Sequence, residues 1–359
     1  MPTRAGLADP VTRLLAAWSP GEARIVAVDA DGPIDAAIER PGATHRVGEV
    51  WRARITATLP AMAGAFCDLG GVSGFLPDSA GAKGRGVGDV LAVRIVRAAQ
   101  QDKGPRLAGA DAPPGPQGLV ARAPHALAGL AALHRGAEIL VSAPALLPIV
   151  PGARLAPSVA DEVDAAFAAL AEPDVPLASG GRLRIHITPA LTAIDIDAGA
   201  AAGGGNSKRA AQKFFNISLL PELARAIRVR NLSGGIVVDL AGMPARRRAA
   251  LAEPLTAALA ADPLRPRLLG FTALGFAEIL RPRVEPPLAE LLSGPHAAAL
   301  AGLRAGLRAG ATRLRAGPEV VTALTADTAA RADFAGATGA PITLASDPGL
   351  GPTGWSLDG

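Results

Sequence analysis

Short hydrophobic runs alternate with polar positions through the first third of the chain. Residues 21–50 predict two strands around an Ala-Asp-Gly turn. Residues 50–79 and 88–109 continue as short alternating strands separated by glycine and proline turns. Several short strands within about 65 residues are typical of a small barrel. The pattern therefore predicts a β-barrel in this part of the chain.

The pattern changes after residue 110. Residues 124–137 and 160–173 have helical periodicity within a stretch rich in Ala and Pro. Strand and helix patterns then alternate between residues 181 and 285, which is typical of an α/β layer. A helical Ala/Arg stretch after residue 286 leads into a small αβ pattern. At 359 residues, the chain is long enough for two or more domains.

Composition narrows the class of protein. A hydrophobic content of 49% indicates a folded chain, not a disordered one. No apolar run approaches the ~20 residues of a membrane span, and residues 1–18 lack the apolar block of a signal peptide, so we expect a cytoplasmic location. The single cysteine, Cys67, excludes an internal disulfide and a CxxC zinc motif. The arginine excess behind the net charge of +4 fits compositional bias, so the placement of charge is more informative than its amount.

Carboxylates occur at the ends of two predicted strands. Asp195 and Asp197 lie in the strand of ALTAIDIDAGAAAGGG, residues 190–205, and they point to one face because they are two residues apart. Asp239 ends a second apolar strand, GGIVVD. Parallel strands linked by one helix are commonly adjacent, which would bring these acids together and suit Mg²⁺. From spacing alone, the acids could equally cap helices or face solvent.

Basic and aromatic residues suggest a polyanion as the ligand. Positive charge follows the glycine loop at Lys208, Arg209 and Lys213, and continues at Arg225, Arg228 and Arg230. In the predicted barrel, Phe66 and Phe75 could stack on single-stranded bases while Lys103 holds phosphates. Without further information, both phenylalanines could equally belong to the barrel core.

Five stretches, in their order along the chain, resemble ribonuclease E/G proteins. Their sequences are IERPGATHRVGEVWRARITATLPAMAGAFCDLGGVSGFLP, DKGPRLAG, VPLASGGRLRIHITPALTAIDIDAG, ARAIRVRNLSGGIVVDLAGM and LLGFTALGFAEILRPR. The resemblance implies an α+β multidomain fold, in which an S1-type OB barrel is inserted in a reduced RNase H-like region and followed by a DNase I-like α/β catalytic domain and a small αβ module. The implied boundaries are 1–45 for the RNase H-like segment, 46–110 for the OB domain, 111–180 for a shortened 5′-sensor-like region, 181–285 for the catalytic domain and 286–359 for the C-terminal module.

The resemblance also assigns roles to individual residues. Asp195 and Asp239 match the two magnesium-binding aspartates of the family, and Asp197 stands where the family has an asparagine that orients the phosphate. The RNA-gripping positions of the OB domain correspond to Phe66, Phe75 and Lys103. The implied cofactor is Mg²⁺, and the implied partner is single-stranded RNA.

Several positions depart from the family pattern. Asp197 adds a negative charge, and a further family acid three positions after Asp239 is Gly242 here. The 5′-phosphate sensor is reduced to Arg122 followed by Ala123, where the family has threonine. The cysteine pair that shares zinc between subunits is missing, so we expect no structural zinc and a monomer or a dimer without a zinc link.

The sequence therefore predicts a magnesium-dependent endoribonuclease that cuts single-stranded RNA and leaves 5′-phosphate ends, in RNA processing or decay. Because of the departures at Asp197, Gly242 and the sensor, a second hypothesis stays open. The protein could be a catalytically degenerate homologue that binds single-stranded RNA without cutting it. A structural scaffold for RNA processing would differ from this second hypothesis only in its partners.

Overall fold

A computed structural model describes residues 11–100, 103–178, 180–198, 208–240 and 242–358. It has mixed α and β structure, in agreement with the expected class. The chain divides into two compact units. One comprises Met1–Gly42, Ala126–Pro282 and Pro287–Gly359, and the other comprises Ala43–His125 and Arg283–Pro286. Within the described ranges, no helix is long and apolar enough to cross a membrane.

An antiparallel meander opens the first unit. Its strands are β1 (Arg13–Ser19), β2 (Glu22–Asp29) and β3 (Gly32–Glu39). The two strands expected around the Ala-Asp-Gly turn are confirmed as β2 and β3, which pair antiparallel. Strand β1 was not expected, because its sequence RLLAAWS is apolar almost throughout and lacks alternation. Its continuous burial matches its position in the interior of a sheet.

The second unit is a closed barrel. Its strands are β4 (Val50–Leu59), β5 (Gly64–Asp68), β6 (Ser73–Pro77), β7 (Val90–Arg97), β8 (Arg106–Gly109) and β9 (Gly118–Ala121). Five strands close in the order β4-β5-β6-β8-β7, and β9 adds to the side of β4. Alternate residues point inward, among them Ile55, Cys67, Leu76 and Leu107, and form the core. The predicted barrel is confirmed, and its closure is consistent with an OB fold.

The chain then returns to the first sheet. Next come α1 (Ala126–Leu133), β10 (Glu138–Val141), β11 (Arg154–Leu155) and α2 (Val159–Ala171). Strand β10 pairs parallel with β1, which gives a five-stranded sheet in the order β11-β10-β1-β2-β3. Helix α2 covers one face of this sheet because Val163 and Phe167 are buried against Leu15 and Val26.

A six-stranded sheet follows. Its elements are β12 (Asp174–Pro176), β13 (Arg182–Ile187), β14 (Thr192–Asp197), α3 (Lys208–Val229), β15 (Gly234–Asp239), α4 (Ala245–Arg248), α5 (Ala252–Leu259), β16 (Arg267–Phe271) and β17 (Ala277–Arg281). The strand order is β12-β13-β14-β15-β17-β16. The expected parallel neighbours are confirmed as β14 and β15, whereas the other described pairings in this sheet are antiparallel.

One face of this sheet carries the core. Ile194 and Ile196 of β14 are buried with Leu219 and Leu223 of α3, together with residues of α5. Because side chains alternate along a strand, the residues between these isoleucines must point to the opposite face. The helices therefore cover one face, and the other presents polar side chains.

The last part of the first unit contains α6 (Leu288–Leu291), α7 (Gly294–Ala309), β18 (Arg313–Ala316), α8 (Pro318–Ala326), α9 (Thr328–Thr338), β19 (Thr343–Ser346) and β20 (Trp355–Leu357). Its three strands are ordered β19-β18-β20. Leu300 and Leu303 of α7 and Phe334 of α9 form its core.

Candidate active site

Three aspartates lie on the uncovered face of the six-stranded sheet. The parallel register of β14 and β15 pairs Asp195 directly with Asp239. Asp195 and Asp197 are exposed, and the Asp239 side chain is 46% exposed. The buried Ile194 and Ile196 hold β14 in this orientation, because a slip of one residue would turn the acids into the core. Two adjacent strands thus present carboxylates side by side to solvent.

An arginine that the sequence did not suggest holds one of these acids. Arg248, at the end of α4, donates from Nη1 to Asp239 Oδ1 over 2.7 Å and to the carbonyl of Gly275 over 3.0 Å. Its Nε donates to the carbonyl of Met243 over 2.7 Å. The Arg248 side chain is only 11% exposed, so its guanidinium is fixed. It therefore orients Asp239 and partly offsets its charge.

The strand on the other side of Asp195 is basic. Register pairs Arg184 with Asp195 and Arg182 with Asp197, and both arginines are exposed. Arg184 lies 3.6 Å from the exposed carboxylate of Asp174. The sheet face therefore carries positive and negative side chains in adjacent rows. Such a face can hold one phosphate near carboxylates and its neighbour near guanidinium groups.

The donor atoms near Asp195 fit a hard divalent cation. Asp195 and Asp239 offer carboxylate oxygens from neighbouring strands. Among the residues that the structure describes, no cluster of three or more His, Cys, Asp or Glu side chains could hold a metal ion. Mg²⁺ commonly binds through one or two carboxylates together with waters and substrate phosphates, so it does not require a larger protein cluster.

The turn after Asp239 explains one departure from the expected acids. Gly242 has a φ of +59°, in the left-handed region that favours glycine. The chain turns sharply here and enters α4, which delivers Arg248 to Asp239. Position 242, where the resemblance implies a further acid, thus holds a glycine that forms the turn. The side chain that contacts Asp239 is instead that of Arg248.

Comparison with known proteins identifies relatives of the part of the chain that forms this sheet. Residues 158–284 match the Ribonuclease E/G family. Ribonuclease E of Nostoc sp. is 35% identical over 130 residues, which are 36% of this chain and 19% of that protein. Ribonuclease E and Ribonuclease G of Escherichia coli are 35% and 36% identical, over 36% and 34% of this chain and 12% and 25% of their own lengths. Three of the five stretches that resemble the family lie within residues 158–284, so the resemblance is confirmed there, over a part of the chain that spans at most a quarter of these relatives.

The basic residues expected around Asp195 and Asp239 are found in different places in the structure. The side chains of Lys208 and Arg209 lie outside the part of the chain that the structure describes. Lys213 is exposed on α3, and the next residue, Phe214, is 75% exposed. Lys213 and Phe214 thus place one cation and one aromatic ring on the exposed surface of α3.

Three arginines further along α3 and after it stabilise the first unit. The prediction that they surround the acids was wrong. Arg225 pairs with the buried Asp29 at 2.8 Å, and Arg228 pairs with Asp35 at 2.5 Å. Arg230 is buried, which lowers its pKa to about 10. Arg230 donates to the carbonyl of Ala169. The acidic partners of Arg225 and Arg228 are 196 and 193 residues away in sequence, so local spacing could not reveal them.

The barrel has an aromatic pair on its outer face. Phe66 and Phe75 are cross-strand neighbours, and their rings meet edge to face with centroids 5.8 Å apart. Both rings are partly exposed, while the neighbouring Cys67 and Leu76 are fully buried. Gly64 makes room for the pair, because a Cβ at this position would approach the Phe75 ring to 2.5 Å. The phenylalanines therefore lie outside the barrel core.

Positive charge lies beside this pair on the barrel. The Arg106 guanidinium lies 5.9 Å from the centre of the Phe75 ring. Burial lowers the pKa of Arg97, and the charges of Arg106 and Arg283 lower it further. Lys103 is exposed just before β8. Arg97 and Arg106 were missed in the sequence, although they belong to the alternating strands that form the barrel wall.

Two other residues singled out from the sequence lie in this unit. Arg122 is exposed immediately after β9, and Ala123 follows it. Cys67 is buried in the barrel core, where burial raises the pKa of its thiol to about 11. A thiol held in this way is a core residue and not a reactive thiolate.

Proposed function

We propose that this protein is an endoribonuclease that cuts single-stranded RNA. The observation that supports it most is the parallel register that sets Asp195 beside Asp239 on an exposed sheet face, within the stretch that matches the ribonuclease E/G family. Relatives named Ribonuclease E and Ribonuclease G are similar to about a third of the chain. A role in RNA processing or decay follows from this assignment.

The proposed domain organisation follows the family resemblance. The barrel would be an S1-type OB domain, residues 46–110, inserted in a reduced RNase H-like region that begins in residues 1–45. Residues 111–180 would be a shortened 5′-sensor region, residues 181–285 a DNase I-like catalytic domain and residues 286–359 a C-terminal module. The assembly would be a monomer or a dimer without a zinc link, in the cytoplasm.

In this proposal, Asp195 and Asp239 hold Mg²⁺. When bound, Mg²⁺ would lower the pKa of a water molecule and offset charge on the phosphate. Attack of that water on phosphorus would break the P–O3′ bond, so the phosphate would stay on the 5′ end of the downstream product. Arg248 keeps the Asp239 carboxylate in one orientation. Arg182 and Arg184 bind phosphates next to the one that reacts, and Asp197 lies beside them on the same face.

The barrel supplies affinity for the single strand. Phe66 and Phe75 would stack on successive bases, and Arg106 and Lys103 would contact phosphates. Lys208, Arg209 and Lys213 would extend the basic surface beside the acids. The barrel would thus contribute base stacking, and the sheet would contribute the chemistry together with phosphate contacts of its own.

Metal removal tests the catalytic proposal directly. Purified protein incubated with a labelled single-stranded RNA should cut it with Mg²⁺ and stop when a chelator is added, because the metal would supply both the more acidic water and the positive charge on the phosphate. Product ends are identified by ligation, which requires a 5′-phosphate. Cleavage that persists unchanged in chelator would contradict the metal role.

A second function remains a candidate because of Arg248. Its bond to Asp239 Oδ1 competes with a metal ion for the same oxygen. A homologue that binds RNA without cutting it would show RNA affinity and no products at any Mg²⁺ concentration. The same incubation therefore separates the two functions.

The basic strand predicts a salt-dependent contribution to binding. Arg184→Gln should lower the salt slope of RNA binding by about one unit, because one phosphate contact releases about one counterion. Arg313→Gln, an exposed arginine on β18, is the matched control and should leave the slope unchanged. Binding isotherms over a salt series measure both. Equal slopes for wild type and Arg184→Gln would remove Arg184 from the RNA surface.

The reduced sensor predicts weak dependence on the 5′ end of the RNA. Ala123 cannot donate the hydroxyl hydrogen bond that a threonine would, and a hydrogen bond to a charged group is worth about 1.5–3 kcal/mol. RNAs with a 5′-monophosphate and a 5′-hydroxyl should therefore be cut at rates within about tenfold of each other. A larger preference for the monophosphate would show that Arg122 still belongs to a working sensor.

A further inference from the structure

A cavity of about 830 Å³ lies within the first unit, formed by α2, α7, β2 and β20. Its volume is within the range of roughly 300–1,000 Å³ typical of small-molecule sites, although it is widely open to solvent. Alanines form much of its wall, which leaves room for a ligand: Ala168, Ala171, Ala301, Ala305 and Ala309. None of the described residues assigned above to cleavage or RNA binding lines this cavity.

Three arginines line the cavity. Arg304 and Arg308 lie four residues apart on α7, so they share one face of the helix. Arg24 reaches in from β2 and stacks on the ring of Phe167, 5.1 Å from its centre. Guanidinium groups suit phosphate oxygens because their planar donors can pair with two oxygens at once.

The arginines are joined in one ionic network. Arg24, Arg40 and Arg304 all pair with the fully buried Glu22. Burial alone would raise the pKa of Glu22, but these three arginines lower it below its usual value. The three ion pairs keep Glu22 charged and hold the three arginine side chains in place.

The network retains an excess of positive charge. Arg308 pairs with Asp164 at 2.5 Å and with Asp161 at 3.3 Å, and Arg24 lies 3.5 Å from Asp164. Counting all these ion pairs, four arginines face three carboxylates. Burial lowers the pKa of Arg304 and the charge of Arg24 lowers it further, whereas Glu22 and Asp164 act in the opposite direction. Three arginines and one carboxylate, Asp164, line the cavity itself, so an anion there would meet net positive charge.

The cavity also presents an aromatic surface. Trp355 of β20 is partly buried and lines the same space as the arginines. A planar ring can stack on an indole, and stacking of a base on an aromatic side chain is worth about 1–3 kcal/mol. The cavity thus combines groups for an anion with a surface for a flat ring, the two parts of a nucleotide.

We propose that this cavity binds a nucleotide, with its phosphate at Arg304 and Arg308 and its base against Trp355. The site is additional to the proposed cleavage site. The ligand is a free nucleotide or a nucleotide of an RNA chain, which share the same chemistry.

Calorimetric titration of the full chain with AMP in the presence of a chelator tests the proposal. AMP should bind saturably, and Arg308→Gln should weaken its binding about tenfold or more, because a charged hydrogen bond to the phosphate is lost. Arg308 is 49% exposed, so the fold should tolerate this change. Arg315→Gln is the matched control, since Arg315 is also 49% exposed and ion-paired in the same part of the chain. Absence of saturable AMP binding, or equal losses in both variants, would overturn the proposal.

Further titrations locate the ligand and test the base. Asp195→Asn should bind AMP like wild type, whereas a loss there would place AMP at the cleavage site and overturn the proposal. Trp355→Leu should weaken AMP but leave inorganic phosphate unchanged. Inorganic phosphate that binds wild type as tightly as AMP would show a site without base recognition and would also overturn the proposal.

Competition identifies the source of the nucleotide. A short RNA with a 5′-phosphate that displaces AMP would show that the end of an RNA chain reaches the cavity, in support of the proposal. If the RNA does not displace AMP, the proposal is still supported, and the occupant of the cavity is a free nucleotide. Asp239→Asn should lose RNA cleavage and still bind AMP. The cleavage proposal and the nucleotide-binding proposal can therefore fail independently.

Discussion

Asp195→Asn should reduce RNA cleavage by several orders of magnitude while RNA affinity stays within a few-fold of wild type. The change removes a carboxylate from the pair that would hold Mg²⁺, and so removes stabilisation of the transition state more than ground-state binding. Asp195 is exposed and makes no core contact in the described structure, so the fold should be unaffected. Single-turnover cleavage and binding isotherms on the same samples measure the two effects.

The control is another exposed carboxylate of the same unit. Glu253→Gln, in the first turn of α5, should cut RNA like wild type. Asp239→Asn should also abolish cleavage, but it weakens the bond from Arg248 as well, so it is the less direct test. Cleavage at the wild-type rate by Asp195→Asn would remove the metal site from this sheet face.

The adjacency of the two acids could be predicted because it depends on local pattern. An apolar strand, a helix and a second apolar strand give neighbouring parallel strands, and this pairing is what β14, α3 and β15 show. Period-two alternation then decides which residues face away from the core. Strand order and side-chain direction were therefore accessible from the sequence around Asp195 and Asp239.

The partners of these acids could not be predicted in the same way. Arg248 reaches Asp239 only because a tight turn at Gly242 redirects the chain into α4. Arg184 lies beside Asp195 because residues 182–197 form a hairpin whose register pairs the two residues. Such pairings depend on register, and a chain pattern alone does not fix register across a turn.

Long-range ion pairs account for the misplaced arginines. Arg225 and Arg228 lie close to the acids in sequence, but α3 turns them towards Asp29 and Asp35 of the first sheet. A basic residue near a candidate site in sequence can pair with a carboxylate that only the tertiary structure brings close. A buried charge requires a paired and hydrogen-bonded partner, and Asp29 and Asp35 provide one for each of these arginines.

The barrel offers the second large effect. Phe66→Ala and Phe75→Ala should each weaken binding to single-stranded RNA by ~1–3 kcal/mol, because each removes a surface on which a base can stack. The two rings contact each other on the outer face and lie outside the barrel core. Either change should therefore lower the melting temperature of the protein only slightly. Thermal melts and binding isotherms on the same variants measure both effects.

Leu76→Ala provides the contrast, because Leu76 follows Phe75 in the same strand and is fully buried. Removing a buried leucine should cost about 2–5 kcal/mol of stability. Its RNA affinity should persist at temperatures where the domain stays folded, because the rings on the opposite face are intact. If Phe66→Ala and Phe75→Ala instead melted like Leu76→Ala, their loss of binding would reflect unfolding. The aromatic pair would then be a packing feature of the barrel, and RNA binding would have to depend on its arginines alone.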